Sequence, residues 1–148
     1  MSYPVIDIAN KIIADTDTSQ GDTISNLKLQ KMLYYLQGFF MAAFGQKLFE
    51  APVEAWQYGP VVREAYFHFN QFGQGAVNLR GDEQIIELPR KENELFKEVM
   101  KEFGHFSAIK LMHMTHEEPP WKKTWHESPQ GVISDDLLVE YFKTQIEE

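Results

Sequence analysis

The chain has 148 residues and carries 22 acidic against 14 basic side chains, a formal net charge of -8. That balance repels nucleic-acid phosphates and anionic lipid and favours basic partners, so neither DNA binding nor membrane binding is expected. Hydrophobic residues make up 43%, which excludes a disordered chain and fits one domain over 1–148, while the absence of cysteine excludes disulfides, thiolate nucleophiles and Cys-ligated metal.

The opening MSYPVIDIANK holds no apolar run long enough for a secretory signal, and no window approaches the roughly 20 apolar residues that span a bilayer; a cytoplasmic location is expected. Val5, Ile8, Ala9, Ile12 and Ile13 form one helical stripe starting near Pro4, and the polar run Asp15 to Thr23 ends it. A second, long helix starts at Ser25 or Asn26 and runs to Gly45, with Leu29, Met32, Leu33, Leu36, Phe40 and Ala43 on its apolar stripe. A second stripe, Leu27, Gln30, Tyr34, Gln37 and Met41, is polar and aromatic. It suits a half-buried seam within the chain or a partner surface, and the internal seam is the preferred reading. Lys28, Lys31 and Tyr35 flank the other edge, where Lys31 is expected to meet a carboxylate such as Glu54 or Glu64, or solvent.

Alternation within Ala51 to Tyr58 reads as a short strand or extended segment ended by Gly59-Pro60, with Pro60 opening a third helix that carries Val62, Ala65, Tyr66, Phe69 and Phe72. Gln71 to Gly75 and Arg80 to Glu83 are expected loops, and Ile85 to Leu88 is expected to pair with Val53 to Gln57. A fourth helix, Lys91 to Phe103, buries Leu95, Val99, Met100 and Phe103. A fifth, Ala108 to His116, is capped by Ser107. EEPPWKKTW reads as a short helix with Trp121 and Trp125 on one face, and a last helix opens at Ser134 with Asp135 and Asp136 in its first turn. The fold class is mainly α (α+β): a compact helical domain around a long central helix with a small antiparallel β element.

Chemistry-bearing motifs are few. His113 and His116, i and i+3 with Glu117 and Glu118 following, have metal-ligand spacing, but no further ligands are named by the sequence. A helix C-terminus favours histidine in any case. Gly73-Gln-Gly75 lacks the rest of a dinucleotide fingerprint and reads as a turn. Lys122 and Lys123 beside Trp121 and Trp125 read as a solvated face among Glu117, Glu118 and Glu127. No catalytic constellation, cofactor site or metal site is expected.

Three blocks, ISNLKLQKMLYYLQGFFMAAFGQKLFE, VEAWQYGPVVREAYFHF and SAIKLMHMTHEEPPWKKTW with the terminal VISDDLLVEYF, resemble the SocA-like antitoxin, or Panacea, domain of toxin–antitoxin pairs and prophage-associated proteins. The resemblance implies a non-enzymatic protein that neutralises a cognate toxin, encoded beside it, by occlusion or by delivery to a protease. The alternative it leaves is a phage-associated interaction protein with no toxin partner. By motif position the signature residues are Lys28, Gln30, Lys31, Tyr34, Tyr35, Trp56, Tyr58, Gly59 and Pro60. Trp56 to Tyr66 is expected to pack on the Lys28 to Tyr35 segment, with any binding face on their exposed rim. No added helix-turn-helix module is seen, so repression of its own operon is not expected.

Overall fold

A computed structural model describes residues 2–17, 23–73 and 75–146. Pro4 opens α1 (Val5–Asp17), whose Val5, Ile8, Ala9, Ile12 and Ile13 are buried as one stripe. Part of the polar run expected to end α1, residues 18–22, and Gln74 of the expected glycine turn lie outside the described residues. The Ser25 hydroxyl accepts from the Lys28 N–H and caps α2 (Asn26–Phe44), and Gly45 closes it in the left-handed region at φ 70°. This helix is the axis of the molecule, packing against α1, α3, α4, α5, α7 and β2, and it is buried on nearly every side from Leu29 to Gly38. Ala43, expected on the apolar stripe, is exposed, while its neighbours Ala42 and Phe44 in the last turn of α2 still pack against the core.

The β element differs from expectation. Gly59-Pro60 does not end the extended run. Instead β1 (Glu54–Trp56) turns back at Gln57-Tyr58 into β2 (Gly59–Val61), pairing Glu54 with Val61 and Trp56 with Gly59. Pro60 is therefore a strand residue, and Val62 precedes α3 (Arg63–His68), which a single 3-10 turn (Asn70–Phe72) extends. Tyr66 and Phe72 are half-buried in this region, while Val62, Ala65 and Phe69 are buried.

The expected partner of β1, residues 85–88, forms no strand; its other side is taken by residues 130–133. The Ala55 N–H donates to the Gly131 carbonyl at 2.9 Å and the Ile133 N–H to the Val53 carbonyl at 2.8 Å. The local β signal in 85–88 loses to a segment that α6 and α7 fix beside β1.

The remaining helices are α4 (Arg90–Phe103), α5 (Ala108–His116), α6 (Pro119–Glu127) and α7 (Asp135–Lys143), with Ser107 and Ser134 capping α5 and α7. In α4, Phe96, Val99 and Met100 are buried, whereas Leu95 and Phe103 are half-buried. Gly38 lets α7 close on α2, since a side chain there would collide with the Phe142 ring. The architecture is mainly α (α+β), with one small antiparallel sheet among the described residues. Among them no helix is long and apolar enough to cross a membrane.

Candidate functional site

The polar stripe of α2 is an internal seam. Gln30 accepts from the Val62 N–H at 3.0 Å and donates to Asn26 at 2.8 Å, while Asn26 donates to the Tyr66 carbonyl at 3.0 Å. Gln37 does the same for the loop after α2, accepting from Leu48 N–H at 2.8 Å and donating to the Phe49 carbonyl at 2.7 Å. Each glutamine supplies both a donor and an acceptor to backbone or side-chain groups that burial would otherwise leave unmatched.

Tyr34 and Tyr35 donate to Glu118 Oε1 and Oε2 at 2.8 and 2.7 Å, and the Tyr141 hydroxyl bonds the same carboxyl. Burial pushes Glu118 up to about 7, against the opposing pull of the three hydroxyls. Burial also raises Tyr34 and Tyr35, with the adjoining carboxylate adding to the effect, and Tyr141 rises to about 12 for the same reasons. Glu118 occupies the N-cap of α6 yet makes no cap bond; Pro119 and Pro120 offer no N–H at the first two helical positions, and its carboxyl bonds the tyrosines instead.

Lys31, one turn before this cluster on α2, meets neither Glu54 nor solvent. It is 0% exposed and its Nζ has no hydrogen-bond partner, while the Glu54 carboxylate is engaged by Trp56 Nε1 at 2.8 Å and Arg63 at 3.0 Å. Glu64, the other expected partner, lies exposed on α3. Burial lowers Lys31 to about 7. Gly59 covers it at φ 113°, where a Cβ would stand 2.5 Å from Lys31 Cε and 3.1 Å from Thr115 Oγ1. His116 stands next to Thr115 in sequence. Its Nε2 is also buried without a partner, and burial first, then the Lys31 and His113 charges, lower its pKa against the raising effect of the Gln57 backbone and Glu117.

The His116 ring stacks on Trp121 at 4.1 Å between centroids, and Trp121 on Trp125 at 5.4 Å. Trp121 Nε1 donates to the Trp56 carbonyl at 2.7 Å, tying α6 to the hairpin. His113 is exposed, and among the described residues no group of three His, Cys, Asp or Glu side chains stands close enough together to hold a metal ion.

The signature residues thus divide. Gln30, Lys31, Tyr34, Tyr35, Gly59 and Pro60 are buried at the junction of α2, the hairpin and the α5–α6 corner, and Lys28 reaches the Gly104 carbonyl at the end of α4. Only Trp56, half-buried, and Tyr58, 59% exposed, look outward from the hairpin. The sequence reads Glu118 as part of a solvated face and Tyr141 as one of the stripe residues Leu138, Tyr141, Phe142 and Ile146 of the last helix; periodicity places Tyr141 on an inward face without showing that its hydroxyl meets Glu118, and Glu118 itself has no periodic signal.

A family model described as "Antitoxin SocA-like, Panacea domain" matches residues 29–122, a segment that contains Gln30, Lys31, Tyr34, Tyr35, Gly59, Thr115, His116 and Glu118 of this junction. The chain belongs to the SocA-like Panacea domain family. α1 and α7 flank the matched segment, so the third hydroxyl on Glu118 comes from outside it. Among curated proteins, antitoxin SocA of Caulobacter vibrioides is 32% identical over 125 residues, which cover 77% of this chain and 66% of that protein. The chain thus matches just under two thirds of the length of this relative. No solved structure matches the chain.

Proposed function

We propose that this Panacea-domain chain is a non-enzymatic antitoxin that neutralises a cognate toxin by binding it. Membership of a SocA-like antitoxin family and the similarity to antitoxin SocA support the role. The observation that carries binding over turnover is the sealing of the reactive groups: Lys31 is 0% and Glu118 only 9% exposed, so a substrate has no approach to them. What faces solvent on this hairpin, next to the Gly59 that covers Lys31, is an aromatic rim of half-buried Trp56 and exposed Tyr58 beside exposed Phe67 of α3. Aromatic rims of this kind anchor protein partners. The toxin is taken to be the product of the adjacent gene, met in the cytoplasm and either occluded or handed to a protease.

Co-expression with that gene product tests the role. Relief of its toxicity together with a co-purifying complex is the expected result, and neither relief nor complex would end the reading. A shortened toxin lifetime in the presence of the chain marks delivery to a protease, an unchanged lifetime marks occlusion.

A further inference from the structure

The hairpin belongs to a sheet whose outer side is open. Along β1, Glu54 and Trp56 share one face, and Val132 joins that face as the cross-strand partner of Glu54. Arg63 covers Trp56 at 5.5 Å while holding Glu54, and the Phe67 ring meets Trp56 at 6.4 Å. Val132 and Phe67 are 57% and 55% exposed; with Tyr58 they account for three of the four most exposed large apolar side chains among the described residues. Scattered exposed apolar residues need no explanation, but three gathered around one small sheet mark a surface suited to a partner.

Two further features say what kind of partner. Val132 and Glu54 are an antiparallel pair flanked by the bonds of Val53 and Ala55, so the Val132 N–H and C=O point away from β1, and neither has a backbone partner among the described residues. They offer a short strand edge. Val132 also forms part of a cleft of about 460 Å³ between α6 and α7, whose rim carries Glu127, Asp136 and Glu140 against the single cation Lys123. None of these three carboxylates is in an ion pair among the described residues, on a chain of net charge -8. We infer that the toxin docks across this sheet edge with an extended segment that sets apolar side chains on Val132 and Phe67 and directs lysine or arginine toward the α6–α7 rim. The inference rests on the antitoxin reading above. Charge complementarity favours a basic toxin segment over a second copy of this acidic chain, since a copy would bring like-charged rims together.

The test uses the adjacent-gene product as probe, titrated with the intact chain. Val132→Asp and Phe67→Ser, at exposed positions, are expected to weaken binding at least about tenfold with melting temperature unchanged. Glu127→Lys combined with Glu140→Lys is expected to slow association about tenfold and to flatten its dependence on salt. The matched control, Glu98→Lys with Glu102→Lys on the exposed side of α4, is expected to leave the rate within about threefold of wild type. If the wild-type chain does not bind the probe, the antitoxin reading falls and this inference with it. If it binds and these variants bind equally well, the antitoxin reading stands and this surface is wrong. A wild-type dimer that Val132→Asp converts to monomer would equally overturn the inference, by assigning the edge to a second copy.

Discussion

Lys31 and Glu118 lie on either side of the same packed junction, each buried and each displaced toward neutrality, with no ion pair between them. Their effects on stability run in opposite directions. Glu118 titrates at about 7 in the fold against 4.5 ordinarily, so the folded state holds its proton more tightly, and stability is lost as pH rises from 4.5 to about 7. Lys31 titrates at about 7 against 10.5, so the unfolded chain holds that proton more tightly, and stability is gained as pH rises from about 7 to 10.5. His116, lowered from 6.5, adds a smaller rise below that value and partly offsets the Glu118 limb. Denaturant unfolding across pH is therefore expected to show a minimum near 7. Glu118→Gln should flatten the limb below it, and Lys31→Met the limb above it. Lys31→Met should also raise stability at pH 6 by roughly 1–3 kcal/mol, because a similar apolar chain replaces a buried charge without a partner. A curve rising monotonically from pH 4.5 through 9 would contradict these assignments. Lys31 was misplaced by sequence reasoning because helical periodicity locates a face without saying what covers it; its cover is Gly59, 28 positions away.

At the scale of elements, helices were legible because their end signals are local. Ser25, Ser107 and Ser134 cap the helices that begin after them, Gly45 ends α2, and Pro119 starts α6. The hairpin was not legible. A Gly-Pro pair is an ordinary helix-start signal, and nothing nearby shows that Gly59 takes a positive φ over a lysine or that Pro60 lies in a strand. The close approach of hairpin and α2 makes a prediction at this scale. Gly59→Ala should cost about 2–4 kcal/mol, from the left-handed backbone and the clash with Lys31 Cε together. In a double-mutant cycle, shortening the lysine with Lys31→Ala should recover the steric part and leave the backbone part. Strict additivity of the two substitutions would show that the hairpin does not rest on Lys31.

Across the whole molecule the family signature is mostly interior framework. Its glutamine pairs with the Val62 backbone, its paired tyrosines Tyr34 and Tyr35 bond the one carboxyl at the start of α6, and its glycine admits one buried lysine, which together hold the hairpin and the α6 start on the central helix. In the docking surface inferred above, recognition falls to what this framework presents: Tyr58, Phe67, Val132 and the acid-rimmed cleft of α6 and α7. The most direct test is one calorimetric titration series with the adjacent-gene product, with melting temperature read on the same samples. Tyr58→Ser should weaken binding at least about tenfold at unchanged melting temperature. Tyr35→Phe, which removes one hydroxyl from Glu118, should lower stability by about 1–3 kcal/mol and leave the folded chain's affinity near wild type. The opposite split, with Tyr35→Phe abolishing binding at full stability and Tyr58→Ser binding normally, would contradict the account.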